Sequence, residues 1–127
     1  WDNTQPKQHA SYRMAEASLN YWLNTKGMPK EKAIVGLASY GKCTTTTTSK
    51  SYRDLISNGA NSELDSATSF IGTTPHLFYY NGTKSIKEKS ILAKHRANGI
   101  MMWEFYFDSN DSKSLLKAAN DTLGRVY

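Results

Sequence analysis

An α/β fold is predicted for this chain of 127 residues by two apolar runs and the helical segments that alternate with them. The runs are Ala33-Ile34-Val35-Gly36-Leu37-Ala38-Ser39-Tyr40 and Gly99-Ile100-Met101-Met102-Trp103-Glu104-Phe105. Neither shows the period-two alternation of a half-exposed strand, so each reads as a strand buried on both faces. Such strands belong to parallel sheets covered by helices. Alternation of strands with amphipathic helices completes the α/β signature and implies right-handed parallel crossovers.

The elements follow in order along the chain. Ser11 is a cap for a helix over 11–26, whose Tyr12, Ala15, Leu19, Trp22 and Leu23 recur at helical spacing and which Gly27 and Pro29 stop. The first apolar run comes next. Residues 41–74 read as an irregular insertion after a strand: five consecutive threonines, Thr44 to Thr48, a short helical segment near Tyr52 to Ser57, and a polar stretch from Asn58-Gly59. Loops this long in compact domains are usually functional or mobile, while the threonine run itself reads as low-complexity filler. Leu77-Phe78-Tyr79-Tyr80 is a short strand ending at Asn81-Gly82, a dipeptide that closes a hairpin or breaks the strand before a helix. Ser85 and Glu88 have capping-box spacing and predict a helix from Ser85 to Ala97 with the small residues Ser90, Ala93 and Ala97 beside Ile86 on one face. After the second apolar run, a helix over Lys113 to Leu123 presents Leu115, Leu116, Ala119 and Leu123 and stops at Gly124.

Length sharpens the fold class. A closed barrel of eight β/α units needs about 250 residues, so this chain is about half of one. It pairs with a further part of a barrel, or it makes a small open sheet with two exposed edges.

Composition excludes several function classes. An apolar fraction of 39% with 12% aromatic residues is too rich for a disordered segment. No stretch approaches the roughly 18 to 20 apolar residues that span a bilayer, so no membrane span is expected. The opening residues Trp1-Asp2-Asn3-Thr4-Gln5-Pro6 lack a basic start followed by an apolar run, so no secretory signal is expected within them. Sixteen Lys and Arg against eleven Asp and Glu leave a net charge of +5. In the densest basic run, Lys87 and Lys94 lie on one side of Ile86 while Lys89 and Arg96 lie on the other. They flank a stripe, with heads expected in water, and do not form the clustered surface that binds phosphate. Nucleic acid is therefore not an expected partner.

Cys43 is the single cysteine, which excludes an internal disulfide framework, and it reads as an ordinary packed or loop thiol. His9, His76 and His95 show no metal-ligand spacing, and no glycine-rich phosphate loop or GxSxG elbow occurs. No metal or cofactor is expected. The sequons at Asn81, Asn110 and Asn120 are what chance supplies in a chain this rich in Asn, Ser and Thr.

Barrel enzymes place their chemistry at the C-terminal ends of strands. Those ends read Ala38-Ser39-Tyr40-Gly41-Lys42 and Met101-Met102-Trp103-Glu104. A tryptophan there offers a flat apolar face to a sugar ring, and Tyr and Glu can hydrogen-bond hydroxyls and amides; large aromatics at strand ends are equally core filler.

At these residues the chain resembles the C-terminal part of the family 18 glycoside hydrolases, the chitinases and endo-β-N-acetylglucosaminidases. The segment AEASLNYWLNTKGMPKEKAIVGLASYGK is similar to that family's helix and seventh barrel strand, and YYNGTKSIKEKSILAKHRANGIMMWEF to its last helix and eighth strand with a Gly-Gly-x-Met-x-Trp type of ending. The resemblance implies the C-terminal portion of a (β/α)8 TIM barrel, strands seven and eight with their helices. It implies that Trp103 is the indole floor under the sugar to be cleaved, with Glu104, Tyr40 and Met101 lining the cleft and Trp1 lying just after the sixth strand. Lys42 stands where arginine is common, Ala38-Ser39 where Pro-Phe is usual, and Asn98 in place of the first glycine before strand eight.

The family's acid, a glutamate closing an Asp-x-x-Asp-x-Asp-x-Glu motif on the fourth strand, has no counterpart here, and neither has the sixth-strand tyrosine. No catalytic residue is therefore assigned to this chain. The resemblance implies substrate-assisted retaining hydrolysis of β-1,4-linked N-acetylglucosamine polymers once an N-terminal half supplies the acid. The alternative is a non-catalytic, lectin-like relative that binds chitin or its oligosaccharides. Either way, the resemblance implies a secreted, cell-surface or periplasmic location, because the polymer lies outside the cell.

Overall fold

The computed structural model describes residues 8–125. Strand β1 (Ile34–Ala38) pairs in parallel with β6 (Gly99–Trp103), in a register running from Ile34 opposite Gly99 to Ala38 opposite Trp103. Between them the chain builds a four-stranded antiparallel sheet of order β3-β2-β5-β4, from β2 (Tyr40–Cys43), β3 (Ser49–Ser51), β4 (Ser66–Ile71) and β5 (Thr74–Tyr79). Helices α1 (Tyr12–Leu19), α2 (Tyr52–Ser57), α3 (Thr83–Arg96) and α4 (Leu115–Leu123) complete the fold.

The parallel pair and its helices are the two β/α units expected of a partial barrel. Val35, Leu37 and Met102 bury one face of the pair with Ile86 and Ala93 of α3 and Leu115 and Ala119 of α4 in a single core cluster. The opposite face is open: Ile34 is 54% exposed, Met101 50% and Trp103 61%. Ala38 is buried on that face, and its other residues are left open within this chain. The stretch 33–40 is not one strand. The backbone leaves the parallel pair at Ser39 and re-enters the antiparallel sheet at Tyr40.

The stretch 41–74, expected to be irregular, holds β3, α2, β4 and all of β2 but its first residue. Its pattern hid this because β4 is Ser-Ala-Thr-Ser-Phe-Ile, too polar for an apolar periodicity to emerge. The threonine run is the loop of the β2–β3 hairpin, closed by the Cys43 amide donating to the Thr48 carbonyl at 2.9 Å. Asn81-Gly82 closes no hairpin and leads directly into α3. That helix starts at Thr83, two residues before the predicted cap, because the Ser85 hydroxyl donates to the Asp65 carboxylate, which also accepts from the Gly82 amide at 2.8 Å.

Local end signals were read correctly at α1, where the Ser11 hydroxyl accepts from the Met14 amide at 3.1 Å. The helix itself ends at Leu19 and continues as a π-helical turn, Asn20–Thr25, before Gly27 at φ 67°. In α4, Ser114 caps the start and Gly124, at φ 71°, takes the left-handed position that ends it. Gly41 meets a different demand: a Cβ there would lie 2.7 Å from Leu55 Cδ1 and 3.1 Å from the Tyr79 carbonyl, so only glycine lets α2 lie this close to β2.

Candidate functional site

Where the two sheets meet, at the C-terminal ends of β1 and β6, a cavity of about 420 Å3 opens. Trp103 stands at the end of β6, and Phe107 borders the same cavity from the 3-10 turn Phe105–Phe107. The other wall is one face of the β2–β3 ladder. Tyr40 pairs with Ser51 and Lys42 with Ser49, so these four side chains share a face, and all four border the cavity. Lys50 borders it too, but belongs to the alternate set with Gly41; its ammonium donates to Ser69 Oγ at 2.9 Å and the Phe70 carbonyl at 2.6 Å and lies 5.4 Å from the Phe78 ring centre. Lys42 lies 6.0 Å from the Tyr40 ring centre.

His9 closes the cavity from the N-terminal side, its ring stacked on Tyr40 at 4.9 Å and 25°. Burial, followed by the nearby charges of Lys89 and Lys42, lowers its pKa from 6.5 to about 4, so the imidazole is neutral near pH 7. The segment carrying it is held by buried polar groups. Gln8 Nε2 donates to the Tyr80 carbonyl at 3.0 Å, Asn81 Nδ2 to the Ala10 carbonyl at 3.1 Å, and the Lys89 ammonium to the same Ala10 carbonyl and to Asn81 Oδ1 at 2.7 Å. Lys89 is 1% exposed, which corrects the expectation that every cation flanking the α3 stripe keeps its head in water. Asn81, at 1% exposure, is closed to glycosylation in the folded chain.

Beneath the cavity, fully buried Ser39 joins three segments. Its amide donates to the Trp103 carbonyl at 3.0 Å, its hydroxyl to the Glu104 carbonyl at 2.7 Å, and its own carbonyl accepts from the Tyr52 amide at 2.8 Å. Trp103 and Glu104 are joined by a cis peptide bond. The next turn is fixed by Asp108, whose carboxylate accepts from the amides of Ser109, Leu115 and Leu116 and from the Ser114 hydroxyl at 2.8 to 2.9 Å.

The family model for glycosyl hydrolases family 18 matches residues 1–108. The chain belongs to that family. Its fold is that of a GH18 chitinase from Flavobacterium johnsoniae, at 29% identity and a TM-score of 0.79, covering 97% of this chain and 38% of that one. A chitinase from Bacteroides thetaiotaomicron gives 25% identity and a TM-score of 0.77 over 97% of this chain and 42% of its own. A chitinase-like agglutinin from Robinia pseudoacacia gives 25% and 0.69, over 94% and 41%. The chain thus spans about two fifths of the length of these relatives, a partial family 18 barrel. No curated protein sequence matches it.

Within this family 18 chain, Trp103 and Tyr40 border one cavity. Met101 shares the open face of β6 with Trp103 but does not border the cavity, and neither does Glu104. Trp1 lies outside the described residues. Sequence reasoning missed His9, Phe107 and Ser39; only Ser39 carried a signal, as a small polar residue where the family usually has phenylalanine. Among the described residues no group of three or more His, Cys, Asp or Glu side chains could hold a metal ion, and no helix is long and apolar enough to cross a membrane.

Proposed function

We propose that this chain supplies the floor and one wall of the sugar cleft in a chitinase-like hydrolase of β-1,4-linked N-acetylglucosamine polymers. The observation that carries the reading is Trp103, 61% exposed at the C-terminal end of a barrel strand and facing the same cavity as Tyr40. The indole offers the C–H face of a pyranose a flat partner. Tyr40 and the Ser49 and Ser51 hydroxyls supply donors and acceptors for hydroxyls and the N-acetyl amide. The chemistry assigned to the whole protein is substrate-assisted: the sugar's own N-acetyl oxygen attacks the anomeric carbon while a glutamate outside these residues protonates the leaving oxygen. An insoluble polymer cannot enter a cell, which supports a secreted, cell-surface or periplasmic location.

The test uses the full-length protein and N-acetylglucosamine oligomers. Replacing Trp103 by alanine is expected to weaken binding by about 1 to 3 kcal/mol, and unchanged binding in a folded variant removes Trp103 from the site. The likeness to a chitinase-like agglutinin supports a second reading, binding without cleavage. Tight retention of oligomers with no shorter products by mass spectrometry selects it.

A further inference from the structure

Trp103 ends the β1–β6 ladder, and the backbone just beyond the ladder sets where its side chain starts. Two carbonyls define that corner, those of Trp103 and Glu104, and Ser39 donates to both. The Glu104 carbonyl accepts a second bond, from the Phe107 amide at 3.0 Å, so the Ser39 hydroxyl also braces the turn that brings Phe107 to the cavity. On its other side the Ser39 carbonyl receives the Tyr52 amide, one residue after Ser51 of the opposite wall. We propose that Ser39 is a positioning residue whose buried hydroxyl locks the tryptophan floor of the cleft to its β2–β3 wall and thereby sets affinity for the amino-sugar chain.

The geometry separates this role from ordinary stabilisation. Removing the hydroxyl leaves the Glu104 carbonyl with its Phe107 donor and leaves no buried acceptor orphaned, so Ser39→Ala should disturb overall stability little. What it removes is the side-chain bond that holds the Glu104 carbonyl to the β1–β2 junction.

The affinity arm rests on the sugar-binding reading above, and a second arm does not. In the full-length protein, Ser39→Ala is expected to weaken binding of an N-acetylglucosamine tetramer roughly three- to tenfold, the range of one hydrogen bond. The same change in a Trp103→Ala background should have almost no effect; an equal loss in both backgrounds overturns the proposal, because Ser39 would then act through something other than Trp103. Independently, the indole N–H resonance of Trp103 in the unliganded protein should broaden or shift in Ser39→Ala and return in Ser39→Thr, which keeps the donor. An unchanged resonance in Ser39→Ala overturns the positioning role, and so does failure of that variant to fold, which would make the hydroxyl a structural requirement. A wild type that binds no oligomer removes the affinity claim together with the sugar-binding reading, while the resonance still decides whether Ser39 places the indole.

Discussion

Acidification tests the site most directly, because His9 is a histidine the fold keeps neutral. Only 8% exposed, it is stacked on Tyr40 with Lys89 and Lys42 close enough to oppose a further positive charge. Its pKa falls from 6.5 to about 4 on folding. The unfolded chain therefore takes up a proton near pH 6.5, while the folded chain resists until about pH 4. The sign follows: the unfolded state binds more protons in that window, so stability falls as pH falls through it and the loss is complete below about pH 4. At about 1.4 kcal/mol for each tenfold change in proton affinity, the loss is about 3 kcal/mol. The perturbation is His9→Phe, which keeps a ring against Tyr40 and cannot titrate. Urea unfolding of the full-length protein at pH 7 and pH 4 should show wild type losing about 3 kcal/mol more than the variant, with carboxylate titrations cancelling in the difference. An imidazole that titrates near 6.5 by NMR, or parallel pH profiles for the two proteins, would refute the reasoning.

Two further predictions concern the scaffold around the cleft. Asp108, 5% exposed and accepting four hydrogen bonds, should cost about 3 to 5 kcal/mol when replaced by alanine, because three amides and a hydroxyl lose their acceptor; a thermal or urea unfolding loss under about 1 kcal/mol would contradict this. Gly41→Ala sets a methyl 2.7 Å from Leu55 Cδ1 and should destabilise by about 1 to 3 kcal/mol, with Leu55→Ala in the same chain relieving part of the strain.

What was legible in the sequence was local. Ser11 is legible as a cap because a hydroxyl three residues ahead of an amide needs nothing else, and the two parallel strands are legible as apolar runs, whereas Ser114, the cap of α4, lies inside the helix that the sequence predicts from Lys113. The antiparallel sheet was not legible, since its pairing joins Lys42 to Tyr79 and Ser66 to Tyr79 across distances no periodicity records. Lys89 looked like any flanking cation because its partners, a backbone carbonyl and Asn81, carry no charge pattern. His9 was invisible for the same reason: its setting depends on a tyrosine and a lysine far along the chain. Trp103, Tyr40, Met101 and Glu104 all stand at or beside strand ends, where barrels place their sites, but which of them border the cavity depends on strand pairing that adjacency in sequence does not show: Trp103 and Tyr40 do, Met101 and Glu104 do not.

The cleft sits at a seam, and that location has a physical consequence. Its floor belongs to the parallel pair and its wall to the antiparallel sheet, two layers that the chain joins where β1 gives way to β2 at Ser39. A tilt of one sheet against the other would change the separation of Trp103 from the Tyr40 face while leaving each sheet's own ladder intact. Such a tilt is resisted by a core cluster that both sheets share, with Val35, Leu37 and Met102 from one and Cys43 and Phe78 from the other, and by three polar ties: Ser39 to the Trp103–Glu104 corner, the Tyr52 hydroxyl to the Lys113 carbonyl at 2.9 Å, and Arg53 Nε to the Asp108 carbonyl at 2.9 Å. All three end on backbone carbonyls of the segment from Trp103 to Lys113, so replacing the donors Ser39, Tyr52 and Arg53 should loosen the seam while the Asp108 carboxylate keeps its own hydrogen bonds.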